Sequence, residues 1–222
     1  LSKAADGSLV YGFVHGNWAL DDSNPSGKGC GVRDELRLLK STGCYADFTM
    51  PSAPHPTQTR MVNRLYYSLS TPNGGSHNKG IPLSVRSPQI DKRNKDEWLL
   101  LVQGPLGLDW HRRKIENAEI AANNPPVIER MDVWTRLAPS VVGAEHCRFV
   151  KLHTHGAIEK NANVLLGESN WRFHEKLAAW SKQTGIRVHY VTAREMTNAI
   201  LALEDGVDLA TGTDWRNYLY RR

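Results

Sequence analysis

No apolar run in this chain approaches the roughly 18 residues that a membrane-spanning helix needs, and no basic segment followed by an apolar one resembles a secretory leader. Neither a span nor a signal peptide is therefore expected within these residues. Cysteine is scarce: Cys30, Cys44 and Cys147 have no CxxC spacing and no fourth partner, so neither a thiolate-cage metal site nor a disulfide framework organises the fold. A Cys30 to Cys44 bridge and three free thiols both fit the spacing. Long blocks of like charge are also missing, the longest being Arg112-Arg113-Lys114 and the terminal Arg221-Arg222. The net charge of +5 is spread over solvated faces, which argues against nucleic acid or a membrane as the principal partner. Internal repeats and low-complexity tracts are absent. The chain starts at Leu1 rather than methionine and soon enters an apolar segment at 8–14, so we expect a piece of a longer protein with an upstream part of its own. No compartment follows from such a start.

What is present is apolar material sufficient for a substantial core, 40 % of 222 residues, arranged as short strands alternating with amphipathic helices. Residues 9–14 form a strand-like run that stops at His15-Gly16. Residues 31–42 carry Val32, Leu36 and Leu39 on one helical face, with Gly43 as terminator. A second strand is expected over 44–50, halted by Pro51 and a proline-rich loop to Pro56. Residues 62–69 fit strand or helix, and 70–96 read as a long irregular excursion. Strands are expected again over 97–103, 149–153 and 186–191, and helices over 112–122, 126–137 and 170–184. Thr192 and Glu195 have capping-box spacing before a last helix bearing Met196, Ala199, Ile200 and Leu203. This alternation predicts a single α/β domain over 1–222, with mostly parallel strands in a doubly wound sheet or an incomplete (β/α) barrel.

In such folds ligands bind at the carboxyl ends of the strands, so the exits are where chemistry is sought. The first exit offers His15, Trp18, Asp21 and Asp22; the second, Asp47 and Thr49-Met50-Pro51-Ser52; the third, Asp109, Trp110 and His111. The segment Leu152-His153-Thr154-His155-Gly156 ends another in two imidazoles. Imidazoles, carboxylates and indoles recurring there point to an enzyme. Each also has a purely structural reading: His15 as a strand-end hydrogen-bonding group, Asp21 and Asp22 as turn formers, Asp109 as a helix cap, the tryptophans as packing.

The order of these segments resembles the polysaccharide deacetylase family, metal-dependent carbohydrate esterases built on an incomplete β/α barrel. The family's Leu-x-x-His motif is matched by Leu152-His153-Thr154-His155, and its Asp-Trp motif by Asp109-Trp110. Its Arg-x-Pro motif is matched only at Pro51. Its His-x-x-x-His motif meets His15 and then Ala19, and its Thr-Phe-Asp-Asp motif has no counterpart, which would place that pair upstream of Leu1. The resemblance implies that His155 is the general acid, oriented by Asp109. It implies that His15 is a ligand of a divalent metal, zinc being the first choice, with Asp21 or Asp22 in place of the second histidine. Trp18 and Trp110 would stack on a carbohydrate substrate, and His153, if its strand alternates, would face the same pocket. Two other readings stay open: a carbohydrate-binding or scaffold domain that keeps the fold without a complete metal site, and a different β/α-barrel metallohydrolase using the His-x-His of His153 and His155.

Overall fold

A computed structural model describes residues 2–4, 6–86, 97–212 and 214–221. Its centre is a six-stranded sheet in the order β1-β2-β3-β6-β4-β5. The strands are β1 (Ser2–Lys3), β2 (Leu9–Phe13), β3 (Cys44–Asp47), β4 (Leu65–Leu69), β5 (Ile81–Pro82) and β6 (Trp98–Val102). A separate hairpin pairs β7 (Gly107–Asp109) with β8 (Lys114–Glu116). The helices are α1 (Glu35–Ser41), α2 (Met131–Leu137), α3 (Ala162–Leu166), α4 (Glu168–Thr184) and α5 (Ala193–Glu204).

Why β6 is apolar throughout follows from its neighbours on both faces. Leu99 and Leu101 pack with Leu36 and Leu39 of α1, Leu20 and Tyr66. Leu100 and Val102 point the other way, to Leu65, Tyr67 and the α5 residues Ala199, Ile200 and Leu203. Covered strands of this kind lose the alternation that marks a half-solvated sheet. A third cluster joins Met131 and Trp134 of α2 to Phe173 and Leu177 of α4, beside the sheet. The last helix starts as its sequence dictates: the Thr192 side chain accepts the Glu195 N–H, and the Glu195 carboxylate accepts that of Thr192.

The helix expected over 31–42 begins only at Glu35, because Asp34 sits at φ 63 in the left-handed region. It ends at Gly43, where φ is +94 and a Cβ would lie 2.5 Å from the Leu9 carbonyl oxygen, so only glycine lets β2 approach. Parallel pairing holds for β2 with β3 and β3 with β6, while β1 with β2, β4 with β6 and β4 with β5 are antiparallel. The expectation of a mostly parallel sheet is thus corrected, and no barrel closes among the described residues. The reason lies in the connection from β3 to β4, which contains no crossover helix; a chain that simply turns back returns antiparallel.

Three further expectations change. Residues 112–122 contain strand β8 rather than a helix, because Asp109 Oδ1 accepts the Arg112 N–H and closes a four-residue turn. Segment 149–153 is extended but forms no strand; its one ladder contact is a bridge between Glu119 and His153. Segment 186–191 pairs with no strand among the described residues and remains outside the sheet. Of the irregular excursion over 70–96, residues 87–96 lie outside the described residues, and the remainder holds a short 3-10 turn, Ser76–Asn78, and β5. No helix among the described residues is long and apolar enough to cross a membrane.

Candidate metal centre

His15 lies two residues beyond β2, and Thr49 two residues beyond β3. The His15 N–H donates to Thr49 Oγ1 at 2.8 Å, and that hydroxyl donates to Asp47 Oδ2 at 2.7 Å, so the two exits are tied together. A register shift between Tyr11 and Gly12 sets the phase of β3. Asp47 then lies in register with Phe13 and Leu101, both of which pack on the α1 side. The loop that follows His15 folds back on itself. Asn17 Nδ2 donates to the Gly29 carbonyl, and Gly29 passes within 3.2 Å, at its missing Cβ, of the Asn17 and Ala19 side chains. Cys30 is thereby delivered beside His15. Glu35, the first residue of α1, is clamped by Asp21: its N–H donates to Asp21 Oδ1, and the Asp21 N–H donates to Glu35 Oε2 at 2.6 Å.

One ligand atom each from His15, Cys30 and Glu35 lies within 4.8 Å of the other two, which makes this cluster capable of holding a metal ion. Their mutual contacts are long. His15 Nε2 is 3.9 Å from Glu35 Oε1, with both side chains 12 % exposed, and the Cys30 thiol reaches Glu35 Oε2 only at 3.6 Å. Imidazole, thiolate and carboxylate together form a donor set suited to zinc and similar divalent ions, and three protein ligands leave a position open. His15 Nδ1 accepts the Asn17 N–H, which leaves Nε2 as the ring nitrogen on the Glu35 side, and the Cys30 thiol lies 3.6 Å from both Glu35 Oε2 and the Val32 carbonyl oxygen. Trp18, Asp21, Asp22 and Asp34 all have positive φ in this loop, a concentration of strained backbone of about 1–3 kcal/mol per residue.

Beneath the cluster lies a buried acid and a buried base. Burial pushes the Asp47 carboxyl up to about 6; the Thr49 hydrogen bonds and the nearby Lys151 charge pull against that, while Glu35 adds to it. Burial likewise pushes the Lys151 ammonium down to about 8 despite Asp47, and its Nζ donates to the carbonyls of Phe48 and Met50 at 2.5 and 2.6 Å. Lys151 thus anchors segment 149–153 against the β3 exit.

Comparison with protein-family models, curated proteins and solved structures finds no match to this chain. The site therefore rests on its own geometry.

Of the residues singled out from sequence, His155 and Trp18 come together, edge to face with ring centroids 5.6 Å apart. His55, from the proline-rich loop, meets the same indole at 5.5 Å and had no sequence signal of its own. Asp109 is placed elsewhere, in the β7–β8 hairpin, with Oδ1 on the Arg112 N–H and Oδ2 3.9 Å from the Arg112 guanidinium. No hydrogen bond joins it to His155 among the described residues. Trp110 stands 74 % exposed at the tip of that hairpin. His153 hydrogen-bonds through its backbone to Ala118 and Ile120, so no strand alternation orients its ring, and burial pushes its imidazole down to about 4. Asp21 and Asp22 stand outside the three-donor cluster. Asp21 Oδ2 accepts from the Ser76 N–H and hydroxyl, and Asp22 pairs with Arg33. Cys30 and Glu35 were missed because strand exits alone were searched, whereas these two reach the site from the return loop and the helix start.

Proposed function

We propose that this chain is a metal-dependent hydrolase that removes acetyl groups from a carbohydrate, with His15, Cys30 and Glu35 holding a divalent ion, zinc by preference. The observation that carries the reading is the convergence of three unlike donors, held apart from one another, at the mouth of two parallel strands. A divalent ion there supplies Lewis acidity toward an acyl carbonyl. Around it, Trp18 offers a flat apolar face for a sugar ring, and His155, exposed beside that indole, can carry a proton to a leaving amine or alkoxide. Asp21 keeps Glu35 in place through two backbone hydrogen bonds, and Thr49 fixes the backbone of His15.

The second reading, a carbohydrate-binding domain without turnover, draws on one fact: among the described residues no carboxylate is hydrogen-bonded to the His155 ring. Metal content together with acetate release from acetylated chitooligosaccharides separates the two. The hydrolase reading expects bound metal and acetate release that falls in His155→Ala and Cys30→Ser. Oligosaccharide binding with neither metal nor acetate would establish the second reading instead.

A further inference from the structure

Folding gathers the chain's longest internal run of basic residues at the tip of one hairpin. Strands β7 and β8 are joined by the turn Trp110-His111-Arg112-Arg113, and Lys114 opens β8. Behind the tip, Leu108 and Ile115 are directly opposed across the two strands, and both are exposed, 50 % and 43 %. With Trp110 they give the hairpin an exposed apolar edge. The same residues line an open depression of about 450 Å³ together with Asp109, Arg113 and Lys114, so apolar and cationic groups share one surface.

The charge on this surface is of one sign. Its two acids are buried: Asp109 closes the turn, and Glu116 is held by Arg130. His111 and Arg113 are exposed, whereas Arg112 and Lys114 also hydrogen-bond Asn124 Oδ1, which keeps them beside the strands. An indole at the tip, an aliphatic pair behind it and the exposed Arg113 beside them match a membrane–water interface. There an indole sits at headgroup depth, aliphatic side chains enter the acyl boundary, and lysine and arginine meet lipid phosphates. A sequence reading that makes 112–122 a helix disperses these groups around a cylinder and hides the pattern.

We propose that the β7–β8 hairpin docks this chain onto an anionic phospholipid surface, with Trp110, Leu108 and Ile115 entering the interface and Arg113 facing the headgroup phosphates. The contact is peripheral and separate from the His15 cluster. Interfacial binding by a small apolar edge plus a few cations is reversible and sensitive to salt.

The test is co-sedimentation of the full chain with phosphatidylcholine vesicles, with and without phosphatidylglycerol. Binding is expected only to the phosphatidylglycerol vesicles, falling sharply at about 0.5 M NaCl, where screening shortens to a few ångströms. Arg113→Glu should weaken it by more than about fivefold, the equivalent of one surface cation. Trp110→Ser and the pair Leu108→Ser with Ile115→Ser should each weaken it by about tenfold or more, with circular dichroism melts unchanged because these side chains are exposed. Absence of binding to anionic vesicles would overturn the proposal, as would equal binding by wild type and Trp110→Ser. Binding to an anionic polysaccharide, lost in Trp110→Ser, without any binding to vesicles would assign the hairpin to a glycan and equally overturn it.

Discussion

Two charged clusters in this molecule have similar ingredients and opposite finish. In one, Glu116 and Arg130 are completely buried and joined by a two-pronged contact at 2.7 and 2.8 Å. The remaining Arg130 donors go to the carbonyls of Glu119, Asn124 and Pro125. Burial alone would raise the Glu116 carboxyl, yet the Arg130 guanidinium holds it below the usual carboxylate range. In the other, His15, Cys30 and Glu35 face one another at 3.6 to 3.9 Å without completing each other's bonding. A cluster that closes on itself has no coordination to give and serves the fold. One whose donors stop short of one another leaves room for an ion.

Mutations can break this contrast. Removing one partner of a fully buried, fully bonded ion pair typically costs 3–5 kcal/mol, so Arg130→Met should lower stability by about that amount in denaturant titrations. A loss below about 1 kcal/mol would mean that the pair is not the structural post described. Acid offers the next largest effect, through His153 beside it. The folded-state pKa of His153 is depressed to about 4 from an ordinary 6.5, so its contribution to stability is complete above pH 6.5 and is lost as pH falls through 4. Stability should therefore drop by about 2–3 kcal/mol over that window, and His153→Gln should flatten this part of the profile.

Asp21 sharpens the comparison because it belongs to both kinds of structure. It accepts from Ser76 in the interior and also sets the position of Glu35. Asp21→Ala should cost about 2 kcal/mol through the lost charged hydrogen bonds and should also weaken metal binding. Loss of stability with metal affinity unchanged would uncouple the clamp from the cluster. Smallest of all is the expected effect of Cys30→Ser on the metal-free chain, within about 0.5 kcal/mol in thermal melts, since the thiol makes only long contacts there.

Much of the central sheet was legible in the sequence, for reasons visible in particular residues. Strand β6 is apolar at every position because helices cover both its faces, and Thr192 with Glu195 announces α5 by local chemistry alone. The β7–β8 hairpin was not legible, because its period-two pattern has Asp109 and Glu116 as the inward residues, and buried acids read as surface until Arg112 and Arg130 are placed against them. Segment 149–153 has the composition of a strand but, among the described residues, only an isolated bridge from His153 to Glu119, a property of tertiary position. At the site, His15 was found because strand ends were searched. Cys30 and Glu35 reach it through Gly29 and the Asp21 clamp, contacts across 12 and 14 residues that carry no periodic signature.

The central claim is that His15, Cys30 and Glu35 hold a metal that the Glu116 and Arg130 cluster does not. Zinc titration of the full chain at neutral pH, followed by calorimetry and a pH indicator, tests it most directly. One ion per chain should bind with release of the Cys30 thiol proton, and Cys30→Ser should weaken binding by more than the roughly 10–100-fold typical of outer contacts. Zinc affinity equal in wild type and Cys30→Ser, or binding without proton release, would contradict the account.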